Sequence, residues 1–296
     1  MVRKQKTDAT HESVLVEEVI STFKLKIKRN QRIIDATVGT GGHTLELIKN
    51  GALVLGLEID PKMSQIARFR LGEMPYKLIL GNFKDIDSIA KKEGFTDIDG
   101  VLFDLGVSNL HLKDIKRGFS FDTPEALLDM RLNEQDQGVK AADLLNVLRK
   151  DQLTDLFGKV LGFRATKSLV DRIVEFRNGK RFTAVEDLLG VVGGVRTTGR
   201  NPATKAFLAL RIAVNLETEN IKEALPKAFA LLRAGGRLCI ISFHSLEDKI
   251  VKACFTSLVA SKLAQSITKK PITPGYQELE RNRRSRSAKM RVVEKI

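Results

Sequence analysis

Three glycines, Gly39, Gly41 and Gly42, lie in the segment DATVGTGGH, between an apolar run ending at Asp35 and helical text opening at His43. Glycine lets the backbone approach a ligand closely and turn sharply into a helix whose first amides lack partners. A glycine-rich turn is common by itself, so its position after a predicted strand gives it weight. Glu58 ends the next apolar run, LGLEID, where a carboxylate can accept hydrogen bonds from both hydroxyls of an adenosine ribose. Asp60, two residues on, reads instead as the cap of a helix starting at Pro61. Gly81-Asn82-Phe83 closes a third run; Phe83 either offers a face to adenine or is ordinary core. Asp104 closes a fourth run, LFD, where a carboxylate beside so much apolar text is costly unless it acts, the other reading being a helix cap.

Several chemistries drop out. A phosphate-binding loop needs Lys-Ser/Thr after its glycines, and here His43 follows. A short-chain dehydrogenase pairs Tyr with a Lys four residues later, but Tyr76 and Tyr276 are followed at that spacing by Leu80 and Glu280. Asp35, at a strand end before the turn, can meet an ammonium directly or through water, whereas a pyrophosphate would be repelled. These features favour S-adenosylmethionine as cofactor over a dinucleotide.

On the substrate side, RGFSF offers Arg117, Phe119 and Phe121 for stacking on a base taken out of its helix, or else a hydrophobic plug tying the insertion to the core. His244 follows the run RLCIISF; Ser245 with Asp248 resembles a capping box, and His244 either lines the crevice or satisfies a neighbour. No Asp, Glu or Cys joins it at ligand spacing, so no metal is expected. His11 reads as structural. Lys and Arg number 50 against 36 Asp and Glu, a net charge of +14, which suits a polyanionic partner. Seven bases, among them Arg283, Arg284 and Arg286, crowd residues 281–296, and a second group (Arg164, Lys167, Arg172, Arg177, Lys180, Arg181) stands mid-chain. Two such patches could grip a folded RNA.

The elements that must position these residues are legible in outline. With 296 residues, 43% hydrophobic and 29% charged, the chain can bury a real core, which excludes collagen-like or wholly disordered classes. Cys239 and Cys254 stand apart, giving neither a zinc ribbon nor a disulfide framework. No apolar window is long enough to span a bilayer and the amino terminus fails as a secretory signal, so a cytoplasmic protein without membrane contact is expected. Up to Ser108 apolar runs alternate with amphipathic text as βαβαβαβ, half of a doubly wound sheet. Residues 139–195 have helical period, and residues 203–236 read as long helix text with a Gly-Gly stop before the strand RLCIISF. The expected domains are 1–110 and 201–296, forming an α/β sheet, with an inserted helical domain at 111–200; the tail beyond Lys269 is expected to wrap the surface.

The strings HESVLVEEV, DATVGTGGHT, DLGVSNLHL, KRGFSF, LLDMRL, FLALRIAVN, GGRLCIISFHSLEDKIVK and RSRSAKMR, in this order, resemble the MraW-type family of bacterial methyltransferases. That family modifies the cytosine N4 amine of small-subunit (16S) ribosomal RNA. The resemblance implies a Rossmann-like S-adenosylmethionine-dependent fold, a helical insertion for substrate recognition, and action on small-subunit ribosomal RNA or the assembled small subunit. It places cofactor binding at Gly41, Gly42, His43, Glu58, Phe83, Asp104 and His111. Glu58 stands where Asp is usual, His111 where Gln is common, and Asn109 where a second Ser is usual. Asp104, Ser108 and Asn109, or the carbonyls between them, sit where acceptors for the target amine belong; DLGVSN is not the Asp/Asn-Pro-Pro-aromatic loop of other amine methyltransferases, and it names no general base. The alternatives are a DNA or protein amine methyltransferase, and an RNA-binding assembly factor without activity.

Overall fold

The computed structural model describes residues 13–196 and 201–296, apart from the side chains of Asn109 and Arg284. His11 lies outside the described residues. The chain divides into two compact units, Met1–Ser108 with Thr218–Ile296, and Asn109–Glu217.

The first unit opens with α1 (Val16–Thr22) and then alternates: β1 (Arg32–Asp35), α2 (Gly42–Lys49), β2 (Leu53–Glu58), α3 (Pro61–Leu71), β3 (Tyr76–Leu80), α4 (Ile86–Lys92) and β4 (Ile98–Asp104). The second unit holds α5 (Asn109–Lys113), α6 (Ala141–Val147), α7 (Lys150–Gly158), α8 (Phe163–Gly179), α9 (Val185–Val192) and α10 (Pro202–Asn215). The chain returns through α11 (Glu217–Leu231), β5 (Leu232–Ser242), α12 (Ser245–Ala260), β6 (Ala264–Ser266), α13 (Tyr276–Arg281) and β7 (Lys289–Lys295).

The strands form one sheet in the order β3-β2-β1-β4-β5-β7-β6. The first five run parallel, and β7 is antiparallel to both its neighbours. Strand order reverses at β1 and β4, the switch point outside whose carboxyl ends such sheets bind ligands. Period-two alternation covers both faces. Ile34, Leu55, Val101, Phe103 and Ile240 join Ile221, Leu225, Val251 and Phe255 of α11 and α12 on one side. Ile33, Val54, Leu102, Cys239 and Ile241 join Val19 of α1, Phe23 just after it and Leu47 of α2 on the other. Burial on both faces explains why these strands read as near-continuous apolar runs. This is the Rossmann-like α/β fold expected from the sequence.

Two expectations are corrected. The tail does not simply wrap the surface: β7 lies inside the sheet, with Met290, Val292 and Val293 fully buried and Val292 opposite Cys239. Its charges are matched locally, Arg291 Nε donating to Asp248 Oδ1 at 2.7 Å and Arg237 Nε to Glu294 Oε2 at 2.7 Å. The long helix text breaks at Leu216, whose φ of 50° ends α10, and Gly235-Gly236 falls in an irregular stretch of β5 between Leu232, opposite Ile98, and Arg237, opposite Gly100.

In the second unit α10 packs against α6, α7 and α9, so this compact unit runs on to Glu217 rather than stopping at 200. The buried stripe of α8, Ala165, Thr166, Leu169, Val170 and Ile173, follows the helical period. Among the described residues, no helix is long and apolar enough to cross a membrane.

Candidate active site

At the carboxyl end of β1 the chain turns through the glycines into α2. Gly41 is the amino-terminal cap residue with φ 82°, a conformation that disfavours any residue with a Cβ. Gly42 is small for a different reason: a Cβ there would collide with the Ser13 side chain, so a neighbouring segment of the protein occupies that side. The Gly39 amide donates to Glu58 Oε2 at 2.6 Å, and the Asp60 amide donates to Glu58 Oε1 at 2.8 Å. Glu58 thus ties the end of β2 to the glycine turn. Burial pushes its carboxyl up to about 7 even though both amides favour the ionised form. Asp60 Oδ1 accepts from the Lys62 amide at 2.8 Å and caps α3, the role read from the sequence.

Three ionisable groups meet at the switch point. Asp35 is fully buried; its Oδ2 accepts from the Thr44 hydroxyl at 2.6 Å and its Oδ1 from the Thr37 amide at 3.2 Å. Burial raises its pKa against those bonds and the nearby His43. With no exposed surface and both oxygens engaged, Asp35 holds the start of α2 together. His43, also buried, places Nε2 2.9 Å from the Val14 carbonyl and Nδ1 3.4 Å from Asp104 Oδ2. Burial opposes its charged form, but the hydrogen bond to Asp104 and the charges of Asp104 and Asp35 outweigh it, so its pKa is raised. The Asp104 amide donates to Thr37 Oγ1 at 2.6 Å. Asp104 Oδ1 is buried without a partner. Such an orphan acceptor costs about 1–3 kcal/mol, a penalty that persists at ligand sites.

The remaining candidates of this unit divide. Phe83 is half-buried, its ring edge-on to Phe103 at 5.5 Å and packed on the sheet core. Ser108 is buried, with Oγ 3.4 Å from Met63 Sδ. Asn109 begins α5, and its side chain lies outside the described part. His244 caps α12, one residue earlier than Ser245: Glu247 Oε2 accepts from the His244 amide at 3.2 Å, and His244 Nδ1 accepts from the Glu247 amide at 3.4 Å. Asp248, expected in the capping box, instead pairs with Lys289 and Arg291. Arg283 and Arg286 are exposed in the short turn before β7, while the Arg284 side chain lies outside the described part.

The second unit overturns the stacking platform expected at RGFSF. Arg117 is only 8% exposed, and its Nη2 donates to the Arg131 and Leu132 carbonyls at 2.5 and 2.7 Å. Phe119 is buried against the His111 ring at 5.4 Å, and Phe121 meets Phe207 edge-on at 5.7 Å. These contacts all lie within the second unit and leave no free aromatic face at Phe119. Of the mid-chain bases, Arg177 donates to the Leu145 and Leu148 carbonyls and Lys180 pairs with Asp187, whereas Arg164, Lys167 and Arg181 are exposed.

Thr37 and Thr44, which brace Asp104 and Asp35, were not singled out from the sequence. Their signal is slight: they flank the glycine turn, and no spacing rule links a threonine to a carboxylate on another strand.

A family model described as the MraW methylase family matches residues 8–296. "Ribosomal RNA small subunit methyltransferase H" of Dictyoglomus thermophilum is 39% identical over 297 residues, covering 98% of each chain. The protein of the same name from Persephonella marina is 41% identical over 295 residues, covering 97% of this chain and 99% of that one. That from Methylacidiphilum infernorum is 39% identical over 286 residues, covering 91% and 90%. With a mostly parallel sheet whose strand ends around the switch point present the glycine turn, Glu58 and Asp104, and with this match along nearly its whole length, the chain belongs to the MraW methylase family.

Proposed function

We propose that this chain is an S-adenosylmethionine-dependent methyltransferase acting on the N4 amine of a cytidine in small-subunit ribosomal RNA. The observation that carries the reading is the family match over residues 8–296, with full-length relatives named as ribosomal RNA small subunit methyltransferases. The residues at the switch point suit the cofactor: an orphaned buried carboxylate oxygen on Asp104 for an N–H donor, and the Glu58 carboxylate at the end of β2 for ribose hydroxyls. When bound, S-adenosylmethionine supplies a methyl group on a sulfonium, which leaves as a neutral thioether.

The protein's share of the work is positioning. The N4 lone pair of cytosine is delocalised into the ring, so the amine must be aimed at the methyl carbon and its N–H bonds accepted. Asp104 and the backbone carbonyls between it and Ser108 are the acceptors at this place in the fold. Glu58, once ionised, keeps one amide on each oxygen and still has lone pairs for the sugar. His111 remains assigned to the site by family resemblance, and Asn109 by its place just after β4. The unit Asn109–Glu217 serves substrate recognition, and its exposed Arg164, Lys167 and Arg181, with Arg283, Arg284 and Arg286 before β7, contact phosphates. The substrate is small-subunit RNA, free or in the assembled subunit, encountered in the cytoplasm.

The test is nucleoside mass spectrometry of small-subunit RNA from cells with and without the gene, paired with tritiated methyl transfer to subunits, naked ribosomal RNA, DNA and bulk protein. The expected result is loss of an N4-methylated cytidine and transfer to ribosomal RNA or subunits. An unchanged nucleoside profile, or transfer only to DNA or protein, would overturn the reading.

A further inference from the structure

His43 and Asp104 are joined in a way that neither the glycine turn nor the strand end requires. Both ring nitrogens of His43 face oxygens: Nε2 the Val14 carbonyl at 2.9 Å, Nδ1 the Asp104 carboxylate at 3.4 Å. A carbonyl only accepts, so Nε2 carries a proton. Nδ1 then either donates to Oδ2 or accepts a proton held there, and one proton lies between the two groups. Among the described residues, the acids facing the ring, Asp104 from β4 and Asp35 from β1, both favour the doubly protonated imidazole, and the segment before α1 presents the Val14 carbonyl. With Oδ2 held in this way, the remaining acceptor of Asp104 is Oδ1, buried and unpartnered at the switch point.

We propose that His43 is a positioning residue acting through Asp104: its Nδ1–H fixes Oδ2 and thereby turns Oδ1 toward an N–H donor bound between the ends of β1 and β4. The inference rests on the methyltransferase reading for the identity of that donor. Two donors share the chemistry, the ammonium of the cofactor's amino-acid end and the exocyclic amine of the target base.

Nitrogen-15 NMR of histidine-labelled full-length protein tests the pair directly, with His43 assigned by its absence in His43→Asn. The expected spectrum at pH 6.5, where an ordinary imidazole is half-charged, has both ring nitrogens predominantly protonated; a bare Nδ1 there overturns the proposal. A double-mutant cycle then asks whether His43 works through Asp104. His43→Ala lowers the function of the site about tenfold to a hundredfold, in line with losing a hydrogen bond to a charged group. The same change in an Asp104→Asn background costs nothing further, and His43→Asn, whose amide can replace Nδ1–H, recovers part of the loss. Additive losses, or failure of the amide to rescue, overturn the proposal. Calorimetry separates the donors. If the cofactor's ammonium is held, His43→Ala weakens S-adenosylhomocysteine but not methylthioadenosine, which lacks that ammonium. If the base is held, both ligands bind unchanged, and kcat falls while the KM for RNA does not. Should the Ala variant not fold, the NMR spectrum and the His43→Asn titration decide. A wild-type protein that binds S-adenosylhomocysteine but methylates no ribosomal RNA would sink the functional reading and leave this pair standing.

Discussion

Each unit of the molecule buries charge, and the switch point of the sheet unit does so in the opposite way to the helical unit. In the helical unit, Asp129 receives Nε and Nη2 of Arg131 at 2.7 Å each and the Arg131 amide at 3.1 Å. Asn215 there donates to the Met130 carbonyl at 2.8 Å and accepts from the Leu132 amide at 3.0 Å, holding Met130 at a φ of 65°. In the sheet unit, Asp35 and Glu58 are driven up in pKa by burial and Asp104 keeps an orphan oxygen. A matched network fixes a loop; an unmatched one holds acceptor capacity for something not yet bound. Breaking the first should show in stability, and breaking the second in chemistry.

The sharpest way to break the comparison is Asp104→Ala. Methyl transfer to ribosomal RNA should fall about 100-fold to 1,000-fold, the usual effect of removing one preorganised group at a reacting centre. The melting temperature should move by less than about 4 °C, because the lost oxygen includes the orphan. Asn215→Ala should do the reverse. Losing several buried hydrogen bonds lowers stability by about 2–4 kcal/mol in urea unfolding, with the rate per folded molecule little changed. If both variants lose the same property, the contrast between the regions fails.

A titration sharpens it. Glu58 rises from an ordinary 4.5 to about 7. Between those values the folded protein binds more protons than the unfolded chain, so this group makes stability decline as pH rises from about 4.5 to 7 and then level off. Ribose hydroxyls need the ionised carboxylate, so S-adenosylhomocysteine affinity should climb about tenfold between pH 6 and 8, and Glu58→Gln should flatten that slope in calorimetry. Asp129 runs the other way. Although burial pushes its carboxyl up, the Arg131 hydrogen bonds and charge outweigh it and hold it below 3.8. Its stabilisation is present above 3.8 and is lost as pH falls further, so Asp129→Asn should remove an acid-side transition and leave ligand affinity alone.

Much of the sheet was readable because the strands are buried on both faces: RIID, LVLGLE and IDGVLFD contain the apolar runs that a parallel sheet imposes. The glycine turn, Glu58 and Asp104 were readable because strand ends before helical text are where such folds place ligands. KMRVVEK was not, since its Lys, Arg and Glu reached the eye as a charge run although Met290 and Val292 alternate with them as a strand requires. RGFSF misled for a related reason. An Arg beside two Phe has the composition of a stacking face, and only tertiary packing shows that Arg117 faces carbonyls and Phe119 faces His111. The His43–Asp104 pairing joins residues 61 positions apart and could not be read from any local pattern.

The basic run before and within β7 gives the smallest and most selective effect. Arg286 is exposed, whereas Arg291 is 14% exposed and tied to Asp248. An arginine that neutralises a phosphate releases counterions on binding, and its loss reduces the slope of log affinity against log salt by about one. Arg286→Ala should therefore flatten the salt dependence of binding to small-subunit RNA by about one unit, leaving thermal stability unchanged. Arg291→Ala should leave the slope alone and destabilise the fold by about 1 kcal/mol, because its partner is a carboxylate of α12. Filter binding at several salt concentrations, with melting curves on the same samples, separates the two. Equal slope changes for both arginines would mean that β7 loosens to meet RNA, and that residues 281–296 act as one basic tail rather than as a contact turn followed by a structural strand.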